Sequence, residues 1–185
     1  MPENNTREDV VGVVMGSDSD WPLMEGVVRT LRDFGVAAET RIISAHRAPA
    51  SAAQYAKSAE RRGLKIIIAA AGGAAHLAGT FAAHSILPVI GIPVKGGAFA
   101  GMDALLSTVQ MPSGVPVATV AVGPSGPVNA ALLAIQILAL QNRALARKLH
   151  QYKRDLSKKV MKSNRKIQSS LPENMRRKGA KRKKQ

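Results

Sequence analysis

The stretch Ser44-Ala45-His46-Arg47-Ala48-Pro49 holds the residue types best suited to chemistry in this sequence. A histidine titrates near neutrality and is the usual proton shuttle. The arginine beside it carries a permanent charge on a planar fork that can grip a phosphate with two bonds at once. The stretch follows an apolar, β-branched run, Ala37–Ile43, and is therefore expected at the carboxyl end of a strand. A lone loop histidine is more often structural or simply solvated. The pairing of His46 with Arg47 at a strand end tips the balance toward acid–base work next to an anion.

Two further stretches share that position. Met15-Gly16-Ser17-Asp18-Ser19-Asp20-Trp21 follows the run Val10–Met15. A Gly-Ser turn that opens a helix exposes unpaired N–H groups at the positive end of the helix dipole, which suits a phosphate. Ser and Asp are also ordinary helix caps, and on spacing alone that explanation is as good. The stretch matches neither G-x-G-x-x-G nor G-x-x-x-x-G-K-[ST], so dinucleotide and triphosphate loops of those kinds lose support. Ala70-Ala71-Gly72-Gly73-Ala74-Ala75-His76-Leu77 follows a third run. Residues this small cannot fill a core; they either let backbone approach a ligand or make a tight strand–helix junction. Gly96-Gly97, Gln110–Gly114 and Gly123–Gly126 could each be a site wall or an ordinary turn. His84 reads as packing or helix surface, and His150 belongs to the tail. There is no cysteine, so thiolate nucleophiles and disulfides are excluded. No histidine stands four residues from another, and no metal site is indicated.

These loops need a frame. Five short apolar runs (Val10–Met15, Ala37–Ile43, Leu64–Ala71, Leu87–Val94 and Pro116–Val122) alternate with helical stretches, which argues for a parallel sheet covered on both faces. Met24, Val27, Val28 and Leu31 fall on one helical face, between Pro22 in a first turn and Gly35 as a stop. Pro49 and Gly63 repeat the punctuation. With 45% hydrophobic but only 3% aromatic residues, the core must be built from Ala, Val, Ile and Leu. Val128–Leu140 is apolar almost all round, so more than one side of that helix must be covered. In a chain of 185 residues another subunit is the expected cover, hence a homo-oligomer.

The formal charge of +15 suggests a nucleic-acid binder until it is located. Residues 1–147 carry 12 Lys/Arg against 10 Asp/Glu, while residues 148–185 carry 15 against two, Asp155 and Glu173. The basicity belongs to the tail. We expect a polar arm over 1–9, a catalytic domain over 10–145, a helical extension over 146–160 and a basic, disordered tail over 161–185. Solvated disorder is the plainer reading of that tail; binding of nucleic acid through it is a weaker alternative. The polar start resembles no signal peptide and no long apolar run could span a bilayer, so a cytoplasmic protein with no membrane partner is expected.

In order and spacing, MGSDSDW (15–21), SAHRAP (44–49), AGGAAHLAG (71–79), LPVIGIPV (87–94), QMPSGVPV (110–117) and NAALLA (129–134) resemble the catalytic-subunit family of phosphoribosylaminoimidazole carboxylase. The resemblance covers about residues 10–145. It implies a three-layer α/β/α sandwich with a central parallel sheet, flavodoxin/Rossmann-like, in a single domain ahead of the helical and basic tail. It also implies a purine-biosynthesis enzyme, usually an octamer, with sites where subunits meet. Carried over by position, Ser17, Ser44 and Arg47 would hold the substrate phosphate and Asp20 the ribose hydroxyls. His46 would be the acid–base, and Gly72, Gly73 and His76 would line the pocket around the base and the migrating carboxylate. The reaction implied needs a ribonucleotide substrate and no cofactor or metal. The GGAAHL pattern at Gly72–Leu77 favours the family's mutase form, which takes the N5-carboxylated nucleotide, over the form that carboxylates aminoimidazole ribonucleotide with free CO2. A relative acting on another ring and a non-catalytic nucleotide-binding module stay open. Ala78 stands where proline is common, Asp18 lies at a variable place, Pro124 and Pro127 alter the last loop, and the basic tail has no counterpart in the family's usual short ends.

Overall fold

Strands form where branched and small apolar residues are sealed on both sides. The structure, a computed structural model, describes residues 11–172 and Met175. Its strands are β1 (Val11–Met15), β2 (Ala38–Ile42), β3 (Ile66–Gly72), β4 (Val89–Val94) and β5 (Ala118–Thr119). They pair in parallel in the order β2-β1-β3-β4-β5. All of β1 and the first five residues of β3 and β4 are buried, the near-continuous apolar pattern of parallel strands covered on both faces. β2 lies at the edge and exposes Arg41 and Ile42.

The helices are α1 (Trp21–Phe34), α2 (Pro49–Ala59), α3 (Leu77–His84), α4 (Met102–Val109), α5 (Ser125–Ala139) and α6 (Arg143–Ser170). Successive strand residues point to opposite faces. Val14, Ile67 and Ala69 therefore meet Ala52, Tyr55 and Ala56 of α2 and Leu77, Ala78 and Phe81 of α3 in one core. On the other face α1 packs against α5, where a Cβ on Gly26 would stand 3.4 Å from Pro127. This is the three-layer α/β/α sandwich. The small-residue composition has a direct use here: a Cβ on Gly12 would meet the Tyr55 hydroxyl at 2.5 Å, so that position lets α2 lie close to the sheet. Beside it the Arg62 guanidinium covers the Tyr55 ring at 4.5 Å and bonds Glu39 at 3.1 Å. Burial, and then the Glu39 carboxylate, push the Tyr55 phenol well above its ordinary range.

Met24, Val27 and Leu31 are buried as the periodicity requires, and Val28 is half-buried. Gly35 and Gly63 end their helical segments in the left-handed conformation, at φ 79° and 92°. Three expectations shift. The fifth run yields only the two ladder residues Ala118 and Thr119 in place of Pro116–Val122, because Pro116 has no N–H to give and Gly123 (φ 87°) turns the chain into α5. Helix α5 begins at Ser125, three residues early, with Gly126 and Pro127 in its first turn, where proline's missing donor costs nothing. Helix α6 runs unbroken to Ser170, so residues 161–170, expected to be disordered, are helical. Their Lys, Arg, Gln and Met favour helix, and the first breaker is Pro172. Residues 1–10, with the polar arm and Val10, lie outside the described residues, as do 173–174 and 176–185. The chain divides after Leu145 into two units. No helix among the described residues is long and apolar enough to cross a membrane.

Candidate active site

Strands β1 and β2 end level, and β3 runs two residues further, to Gly72. Met15 stands opposite Ile42 on one side and Ala70 on the other, so the loops after β1, β2 and β3 emerge at one rim. In this strand order the connections reverse direction between β1 and β3, and open α/β sheets bind ligands beyond the carboxyl ends of strands at such a reversal. The backbone carries the register past the strands: Ile43 N donates to Met15 O at 2.9 Å and Gly16 N to Ala70 O at 3.1 Å.

Each loop is shaped by its own residues. Ser17 caps the short 3-10 turn Asp18–Asp20 that leads into α1, accepting from Ser19 N at 3.3 Å and from the Ser19 hydroxyl at 2.9 Å. In the second loop the Ser44 hydroxyl accepts from Arg47 N at 3.2 Å and from Arg47 Nε at 3.4 Å. The guanidinium then reaches across to donate from Nη2 to Gly16 O at 3.0 Å. A cation is thereby fixed between the first two loops before any ligand arrives. In the third loop Gly73 takes φ 62°, and His76 leads into α3 with its carbonyl accepting from Thr80 N at 2.9 Å.

The loops enclose a cavity of about 430 Å³. Ser17, Asp20, Ser44, His46, Arg47, Gly72 and His76 all line it, with Gly16, Ser19, Ala45, Ala71, Ala74 and Leu77. Seven of the eight residues singled out in the sequence are thus brought together. Gly73 is the exception. Its left-handed turn carries it into an adjoining cavity of about 400 Å³, with Lys95, Gly96, Gly97 and Asp103, which shares Ser19, Asp20 and Gly72 with the first.

Within the main cavity His46 Nε2 lies 2.9 Å from His76 Nδ1, with the rings edge-to-face at 86°. One nitrogen must donate and the other accept, so the pair fixes one proton between the rings and leaves His46 Nδ1 for a second partner. The Asp20 carboxyl is raised above the ordinary carboxylate range, first by burial; a hydrogen bond from the Ser17 backbone works against this and the charge of Asp18 adds to it. The cavity therefore offers one permanent cation, two imidazoles, serine hydroxyls, a half-buried carboxyl and backbone donors over small residues. That inventory suits a phosphorylated substrate and a proton moved twice. Among the described residues no group of three or more His, Asp or Glu converges as a metal ligand set.

Ser19, Lys95 and Asp103 were not singled out by sequence reasoning. Ser19 lies inside a motif that was, and Lys95 directly follows β4, so the strand-end rule pointed to both. Asp103 opens α4 and gave no signal of its own.

The profile of the AIR carboxylase family matches residues 10–159. N5-carboxyaminoimidazole ribonucleotide mutase of Pyrococcus horikoshii is 53% identical over 155 residues, covering 84% of this chain and 86% of its own. The Bacillus subtilis protein of the same name is 50% identical over 157 residues, covering 85% and 97%. A crystal structure of Treponema denticola PurE superposes with a TM-score of 0.77 at 31% identity, over 85% of this chain and 98% of that one.

Proposed function

Because the chain belongs to the AIR carboxylase family, we propose that it is the purine-biosynthetic isomerase that turns N5-carboxyaminoimidazole ribonucleotide into 4-carboxy-5-aminoimidazole ribonucleotide. The observation that carries this reading is the His46–His76 pair, 2.9 Å apart, in one cavity with Arg47 and the serine turn.

The chemistry follows from what each group can do. Arg47, with Ser17 and Ser44, holds the phosphate, and Asp20 takes the ribose hydroxyls. Protonated His46 delivers a proton to the carbamate nitrogen; the C–N bond breaks and CO2 is released beside an electron-rich aminoimidazole. Ring carbon four attacks that CO2 and a C–C bond forms. Neutral His46 then removes the proton from carbon four and the ring regains aromaticity, so the imidazole ends as it began. One imidazole serves both transfers, first as acid and then as base, contributing about 10²–10⁴-fold. His76, bonded to His46, sets which imidazole nitrogen bears the proton. The small residues Ala71, Gly72 and Ala74 give CO2 a confined place with backbone donors and little room for water. No ATP, metal or organic cofactor enters this scheme.

The decisive experiment offers purified protein the N5-carboxylated nucleotide, and separately aminoimidazole ribonucleotide with bicarbonate, both without ATP. Rapid conversion of the first and slow conversion of the second is expected. The reverse order would make the enzyme a carboxylase of free CO2, and activity on neither would remove the proposal.

We further propose that the enzyme works in the cytoplasm as a homo-oligomer, an octamer by family resemblance. The exposed side of α5 supports assembly: Leu132, Leu133, Ile137 and Leu138 are only half-buried and Leu140 is 84% exposed.

A further inference from the structure

We infer that α6 is an electrostatic arm that binds the phosphate backbone of nucleic acid, a function separate from the strand-end cavity. From Arg147 to Lys166 the helix carries nine Lys/Arg, every one exposed, and a single acid, Asp155. That carboxylate accepts from Gln151 Nε2 at 2.9 Å and from Lys158 Nζ at 3.4 Å, so its charge is answered locally. Lys158, Lys159, Lys162, Arg165 and Lys166 stand at i, i+1, i+4, i+7 and i+8, which places them on one helical face. Every residue from Ser157 to Ser170 is exposed.

The length and pitch of this face fit a polyanion. At about 1.5 Å per residue, Arg147 to Lys166 spans about 30 Å. A nucleic-acid duplex offers a negative charge every ~1.7 Å along its axis, and each phosphate neutralised releases counterions. The sequence beyond adds seven Lys/Arg between Arg176 and Lys184. Lys162, Arg165 and Lys166 lie past the residues 10–159 that match the family, so the catalytic reading gives them no task.

A membrane surface fits less well. An interfacial helix needs a broad apolar face with Trp, Phe or Leu. Opposite the cations this segment has Leu156, Val160 and Ile167 in a narrow line with Ser163 and Asn164 beside it, Met161 stands at its flank, and no aromatic residue follows Tyr152. With no aromatic residue after Tyr152 there is no row of rings on which bases could stack, so binding is to backbone and indifferent to sequence.

The test measures fluorescence anisotropy of a labelled mixed-sequence RNA duplex with the full chain, between about 50 and 200 mM salt. A second arm uses vesicles of phosphatidylserine and phosphatidylcholine. The companion variant carries Lys158→Gln, Lys159→Gln, Lys162→Gln, Arg165→Gln and Lys166→Gln together, with its helicity and nucleotide turnover checked against the parent. Expected are duplex binding that falls steeply with salt, and a variant whose slope of log affinity against log salt is shallower by about four, at unchanged helicity and turnover. Absence of duplex binding at the low-salt end would overturn the inference. So would an unchanged slope in the variant, or vesicles that displace the duplex.

Discussion

The rim formed by β1, β2 and β3 and the long helix α6 solve opposite physical problems. At the rim the side chains with chemistry sit on turns whose strands are buried on both faces, and almost every local polar group is tied: Ser17 to Ser19, Arg47 to Ser44 and Gly16, His46 to His76. In α6 only Leu145 is buried, and the bonds along it run between residues three and four apart. The rim is specified by packing from outside; the helix persists on the propensities of its own residues. Exact placement requires a core, whereas presenting charge along a line does not. The formal charge of the chain describes only the second of these regions.

Substitutions can break or sharpen that contrast. The largest effect is expected at His46, where His46→Asn should lower kcat by about 10²–10⁴-fold with the melting temperature unchanged; rate assays beside thermal melts check it. Next comes the support beneath the rim: Phe81→Ala empties a fully buried position and should cost about 3–5 kcal/mol in urea unfolding. Arg47→Ala should lower kcat/KM through KM by about 10–100-fold, the worth of about 1.5–3 kcal/mol for bonds to a charged group. A smaller effect of distinctive sign belongs to Asp20. Because the folded protein raises this carboxyl, its ionised form is less favourable folded than unfolded, and the penalty is present above the raised pKa and fades as pH falls through it. Asp20→Asn should therefore melt slightly higher than the parent at neutral pH, with the gain vanishing in acid, while nucleotide binding weakens. The smallest effect is expected in α6, where Ile167→Ser, at a position 59% exposed, should leave stability within about 0.5 kcal/mol.

What could be read from the residues follows the same division. β1, β3 and β4 were legible because a strand sealed on both faces has to be a branched apolar run, and their ends marked the loops that carry the site. The site residues were legible in type and approximate place, but not in mutual contact. Nothing local says that Arg47 turns back to the Gly16 carbonyl, that His46 meets His76, or that the twist at Gly73 sends it into the neighbouring cavity; these depend on strand order and register. β5 was overread because apolar composition does not report how many backbone groups find a ladder partner. α6 was underread because its last ten residues show no apolar period, although they lack any residue that would stop a helix.

The shared register of β1, β2 and β3 at the rim carries a lesson about length. Adding one residue inside β1 would lift the Gly16–Ser17 turn by about 3.3 Å against its neighbours and would exchange which of Val13 and Val14 faces each helical layer. The guanidinium of Arg47 would lose its carbonyl in the same move. Insertions and deletions should thus be absorbed in the loops and helices of this chain, and its central strands should tolerate changes of residue far better than changes of number.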